Sequence, residues 1–206
     1  MEAVRFFPYD QGFAFVDAVF QEGGWEAVEN IYTNPPTTTE QILHPEKYFS
    51  GEIASEIDAT DLSTILTAEW QPVFQDSLGE WNTFLVLTAG TNPFTRIDSS
   101  SAQLATAGWN GDYTQIFSTL TGEHLVIGHW TFDSETDAEE FFTTFGLYNS
   151  QRVVGDLIEI NRFPCNRDSN QISCLIIKED NVIWVLAPDI QVTETILENY
   201  QFLLSE

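Results

Sequence analysis

The stretch Tyr113-Thr-Gln-Ile-Phe-Ser-Thr-Leu120, a Thr121-Gly122 turn, and Leu125-Val-Ile-Gly-His-Trp-Thr-Phe132 decides the fold. Two runs rich in β-branched and aromatic residues, broken by a glycine turn, predict a β-hairpin. Downstream, Ser134-Glu-Thr-Asp137 caps a helix that carries Ala138, Phe141, Phe142 and Phe145, and Gly146 is expected to stop it. Strands are predicted near 153–163, 172–178 and 182–187, with Asp180-Asn181 in the turn between the last two. Asp189 caps a final helix bearing Val192, Ile196, Leu197, Tyr200, Leu203 and Leu204. The order is ββαβββα. Short turns between successive strands imply a mainly antiparallel sheet, with helices on one face.

Upstream of the hairpin the pattern is mostly helical, so the fold class is α+β: a helical N-terminal half, 1–110, and a sheet module, 111–206. A first helix is expected over 9–22, with Phe13, Val16 and Phe20 in a stripe that Phe15 and Val19 reinforce, ending at Gly23-Gly24. A second runs over 25–33 with Trp25, Val28, Ile31 and Tyr32 on one face, and Pro35-Pro36 ends it. Thr37-Thr-Thr-Glu40 has capping-box spacing for a short helix through Leu43, closed by His44-Pro45. Residues 50–65 read as an acidic surface loop, Trp70–Phe74 as a short strand and Leu78–Thr88 as a helix. Ser99 or Ser100 caps an Ala-rich helix ending at Gly108. Trp109-Asn-Gly-Asp112 reads as a turn into the hairpin or as a ligand-contacting loop.

Asp and Glu number 32 against 7 Lys and Arg, a net charge of −25. Nucleic acid is excluded as a partner, because its recognition depends on basic side chains that displace counterions from phosphate. Anionic lipid is excluded for the same reason. Self-repulsion at this charge weakens with salt, so either a high-salt protein or an ordinary acidic secreted one fits. The 43% hydrophobic fraction is enough for a packed core. No apolar run approaches the ~20 residues of a membrane span. The N-terminal Met1-Glu-Ala-Val-Arg-Phe-Phe-Pro8 lacks a signal-peptide pattern.

Cys165 and Cys174 suggest a different compartment from the one a leaderless start implies. They flank a polar segment with a turn at Ser169-Asn170. With that two-residue turn, 168 faces 171 and 165 faces 174, a non-hydrogen-bonded pair whose Cα atoms sit ~4.5 Å apart. A cross-strand disulfide is expected, the alternative being two free buried thiols. The disulfide places the chain in an oxidising, extracytoplasmic compartment, which requires a leader upstream of this sequence.

Catalytic motifs are sparse. There is no HExxH, no G-x-S-x-G elbow and no phosphate-binding glycine loop. Glu40 and His44, four apart, are the weak metal candidates. A helix-terminal histidine held by a local hydrogen bond is the plainer reading. His124 and His129 are an odd number apart on one strand and so point to opposite faces. Glu139-Glu140 and Asp133 with Asp137 read as solvated helix charge. No cofactor is implied.

Two stretches resemble uncharacterised extracytoplasmic zincin-like proteins, bacterial lipoproteins and haloarchaeal surface proteins among them. One runs from Tyr9-Asp-Gln-Gly12 through Gly24-Trp25 and Pro35-Pro36 to Glu40, His44-Pro45 and Tyr48; the other is Ala107-Gly-Trp109-Asn-Gly-Asp112-Tyr with Trp130 and Asp133. In such proteins the HExxH helix precedes the matching stretch, and no position here corresponds to it. The resemblance implies a non-catalytic C-terminal region of a secreted or surface metallopeptidase-like protein, acting as a docking or binding module beside an N-terminal catalytic domain. An apolar patch at Phe13, Phe15, Val19 or Trp25 would then be exposed. The alternative is a stand-alone acidic extracytoplasmic interaction protein. A metal-dependent hydrolase built on Glu40 and His44 is a third reading.

Overall fold

The computed structural model describes residues 2–204. The elements are α1 (Glu2–Ile31), α2 (Thr39–Leu43), α3 (Pro45–Ser50), β1 (Gln71–Asp76), α4 (Gly79–Thr88), α5 (Ser99–Thr106), β2 (Trp109–Ser118), β3 (His124–Phe132), α6 (Glu135–Arg152), β4 (Asp156–Ile160), β5 (Phe163–Arg167), β6 (Ile172–Lys178), β7 (Asn181–Ala187), α7 (Ile190–Asn199) and α8 (Gln201–Leu204). They form two compact units. One comprises the chain up to Ala54 with Gly79–Trp81; the other is Ser55–Leu78 with Asn82 onward. The boundary expected at 110/111 falls inside β2.

The larger unit is built on a seven-stranded sheet of order β1-β2-β3-β7-β6-β5-β4, with every pairing antiparallel. The α+β class holds. Three features of the expected ββαβββα module change. The run near 153–163 is part of a hairpin, β4 and β5, because Asn161 and Arg162 take positive φ and reverse the chain. The β6–β7 turn is Glu179-Asp180, since Asn181 already pairs with Lys178. Helices cover both faces rather than one.

Side-chain alternation along each strand explains the two covers. Ile172, Cys174 and Ile176 of β6 and Ile183, Val185 and Ala187 of β7 join Ile196, Leu197 and Tyr200 at α7 in one core. Trp130, Phe132 and Trp184 face the other way, where Phe141 and Phe145 of α6 meet them at ring separations of 4.9 to 5.4 Å. Central strands with few polar residues are the signature of a sheet buried on both sides. Gly128 is required at its position, because a Cβ there would come within 2.2 Å of the Trp130 indole.

Caps and ends shifted where two candidates competed. Asp98, not Ser99 or Ser100, caps α5 by accepting from the Ser101 N–H. α6 runs through Gly146 to Arg152, since Tyr148 and Asn149 bury on the same face as Phe141 and Phe145. The final helix breaks at Tyr200 into α7 and α8. Trp109–Asp112 is not a turn but the start of β2, with a bulge between Trp109 and Gly111. Residues 55–62 are not purely surface loop: the Ser55 N–H donates to Asn110 O at 2.6 Å, and Leu62 is fully buried under the sheet.

In the smaller unit, α1 extends from Glu2 rather than residue 9 and is interrupted at Gly23-Gly24. Gly24 sits at φ 64°, ψ −156°, a conformation essentially restricted to glycine. The cap of α2 lies one residue later than expected. Thr38 accepts from the Gln41 N–H, and the Gln41 side-chain oxygen accepts from the Thr37 N–H at 2.7 Å. His44-Pro45 ends α2 but also opens α3, with Pro45 at its first turn, where a missing N–H costs nothing.

Candidate functional site

The helical unit holds three features that chemistry could use. The first is a charged cluster. Glu40, 2% exposed, binds the Lys47 ammonium at 2.5 Å, and Lys47 lies 2.8 Å from Glu52. Gln41 donates to Glu52 O at 2.7 Å, tying α2 to the segment after α3. His44 Nε2 meets Glu80 Oε1 at 2.9 Å, and its Nδ1 lies 3.8 Å from Glu46. The hydrogen bond to Glu80, aided by the charges of Glu80, Glu46 and Glu40, raises the His44 pKa against the opposing effect of burial. Glu40 and His44 are thus committed to different partners, and the geometry does not aim them at one ion.

The second feature is a cleft of about 560 Å³ at the α1 kink, lined by Val19, Ala27, Pro35, Tyr48, Phe49 and Glu52 among others. Tyr48 donates to Asn34 O at 2.7 Å and stands edge-on to Phe15 at 5.1 Å. Of the residues that carry the family resemblance, Pro35 and Tyr48 line this cleft and Gly24 makes the kink. Trp25 is exposed against Phe20 at 5.1 Å.

The third feature is the outer face of α1. Phe15 and Val19 are buried, whereas Phe13, Val16 and Phe20, expected on the same stripe, are exposed. At 100° per residue the two sets lie on different sides of the helix. The outer set extends toward the N-terminus through Tyr9, 75% exposed, and Phe6. Helix α1 therefore carries two apolar faces, one buried and one open.

In the sheet unit the remaining marked residues make contacts within the fold. Asp112, 6% exposed, accepts from the Ser77 hydroxyl at 2.9 Å, the Leu78 N–H at 2.7 Å and the Trp109 indole at 3.1 Å. It ties the end of β1 and the approach to α4 onto β2. Cys165 and Cys174 form a disulfide between paired positions of β5 and β6. His124 is exposed and His129 buried, on opposite faces. His129 Nε2 donates to Asn181 Oδ1 at 2.8 Å, and its Nδ1 accepts from the Tyr200 hydroxyl at 3.0 Å. Burial lowers its pKa, and burial raises that of Tyr200.

A model of a domain of unknown function, DUF8575, matches residues 69–197. The chain belongs to the DUF8575 family. No curated protein and no solved structure matches significantly. The DUF8575 match runs from just before β1 into α7, so it takes in the whole sheet. The charged cluster around Lys47, the cleft and the open face of α1 lie outside it, apart from Glu80. Within DUF8575 the marked residues are Trp109, Asp112 and the two cysteines.

Sequence reasoning missed Glu80 and Lys47, whose roles depend on contacts between segments that no local pattern records. It also missed Phe6 and Tyr9, although these were legible: their spacing to Phe13 is the same 3–4 alternation that marks an apolar helix face. Among the described residues, no helix is long and apolar enough to cross a membrane.

Proposed function

We propose that this chain is a non-catalytic docking module, the C-terminal region of a secreted or surface metallopeptidase-like protein, and that it engages another polypeptide through the open face of α1. One observation carries the reading: Tyr9 and Phe13, 75% and 72% exposed, stand in a row of large apolar side chains on a chain of net charge −25. Contiguous apolar patches of this kind mark interaction sites, whereas scattered single ones do not. The engagement of Glu40 by Lys47 and of His44 by Glu80 supports a structural role for the two metal candidates. The disulfide and the acidic composition support an oxidising, extracytoplasmic setting.

Photo-crosslinking in the producing cell tests this. A photoreactive phenylalanine in place of Phe13 should join the chain to a discrete polypeptide. The same group in place of Leu157, equally exposed on the sheet unit, should not. Equal labelling from both positions, or none from Phe13, would refute docking through α1. Peptide hydrolysis that requires His44 and retained zinc would refute the non-catalytic part.

A further inference from the structure

We infer that the polypeptide seated on α1 is an amphipathic helix whose apolar seam is flanked by Lys or Arg, packed in the manner of a coiled coil; this rests on the docking reading above. The exposed residues Phe6, Tyr9, Phe13, Val16 and Phe20 are separated by 3, 4, 3 and 4 positions. That is the a/d spacing of a heptad seam, and it matches another helix rather than a strand, whose period is two. The seam runs ~21 Å along the axis at 1.5 Å per residue. It is not part of the unit's own core, which takes Phe15 and Val19 from a different side of the helix.

The flanks decide the partner's charge. Asp10 and Asp17, both exposed, follow Tyr9 and Val16 and so occupy the e positions beside the seam. On the g flank stand Arg5, Gly12 and Val19; Val19 is buried and Gly12 has no neighbour within 4 Å of where a Cβ would be. Residues at e and g set partner choice through interhelical ion pairs. Two acids against one base favour a basic helix, and the net charge of −25 adds long-range attraction for it.

A second copy fits less well. In a parallel pair, Arg5 meets Asp10 of the other copy but Asp17 meets only Gly12. In an antiparallel pair the acidic flanks face each other, and in either case two chains of −25 repel. A lipid surface fits least, since helices that lie on membranes carry Lys and Arg on the polar face.

The test uses the full chain and two synthetic three-heptad helices with the same leucine seam, one flanked by Lys and one by Glu. Binding is followed by anisotropy of the labelled peptide. The Lys peptide should bind about tenfold tighter at about 0.05 M salt, and the gap should shrink at about 0.5 M. Asp10→Lys with Asp17→Lys should reverse the preference. Phe13→Asp, at a site outside the core, should weaken both peptides while leaving the circular dichroism unchanged. Equal binding of the two peptides would overturn the basic-partner assignment and leave docking through α1 standing. Self-association in the ultracentrifuge, or binding to phosphatidylcholine vesicles in preference to either peptide, would also overturn it, in favour of a second copy or a lipid surface. If the seam binds no helix, copy or vesicle, the docking reading falls with it.

Discussion

Reducing the Cys165–Cys174 bond should weaken the sheet unit by a calculable amount. The bond joins residues nine apart in sequence, and both sulfurs are buried, Cys165 at 1% and Cys174 at 0% exposure. For a closed loop of about ten residues, loss of loop-closure entropy from the unfolded chain is worth about 2.7 kcal/mol at 25 °C. A unit of roughly 150 residues has an unfolding entropy near 0.3 kcal/mol/K, so the melting temperature should fall by about 8–9 °C. The assay is differential scanning calorimetry with and without dithiothreitol, with the double variant Cys165→Ala/Cys174→Ala beside it. The alanine pair should fall slightly further, because it also removes two buried sulfurs from the core that includes Ile172, Ile183 and Tyr200. A transition that does not move on reduction, with free thiols verified by alkylation, would refute the entropic reasoning for this hairpin. A loss of all cooperative melting would show that the bond organises the β4–β5–β6 edge in addition to restricting the unfolded chain.

Two other substitutions and a pH titration probe the framework. Asp112→Ala should cost about 3 kcal/mol, because it leaves the buried Trp109 indole and the half-buried Leu78 N–H without their acceptor, and denaturant melts with Asp112→Asn as a partial rescue would check this. Ser173→Ala should cost about 2 kcal/mol, since the hydroxyl donates to Asn149 at 2.5 Å and accepts from the Trp184 indole at 2.7 Å, and urea midpoints would report it. The histidines should respond to pH in opposite senses. Raised by Glu80, His44 stabilises the fold fully below pH 6.5 and loses that contribution as pH rises through its folded value. His129, held neutral by burial, favours the fold above pH 6.5 and loses that contribution as pH falls, when only the unfolded chain takes up the proton. Proton NMR titration should place the His44 midpoint above 6.5 and the His129 midpoint below it; coincident midpoints would refute both assignments.

How far the sequence can be read here depends on the range of the interactions involved. The hairpin, the caps Ser134 and Asp189 and the pairing of 165 with 174 were all local, set by turn chemistry and strand period within a few residues. The same locality made the break at Gly23-Gly24 visible. The kinks and ends that misled were ties between neighbours of similar propensity, Asp98 against Ser99, or Gly146 inside an otherwise strong apolar face, where burial of Tyr148 and Asn149 outweighed a glycine's small helix cost.

By itself the sequence determined the α+β class, the antiparallel hairpins and the disulfide, because each follows from short-range pattern. Tertiary structure alone decided that both faces of the sheet are covered, that Asp112 braces β1 to β2, that Lys47 occupies Glu40 while Glu80 occupies His44, and which of the two apolar sides of α1 stays open. Each of these depends on segments distant in sequence meeting in space. Phe13 and Phe15 have the same hydrophobicity, and only what packs against Phe15 makes the difference between a core residue and an exposed one.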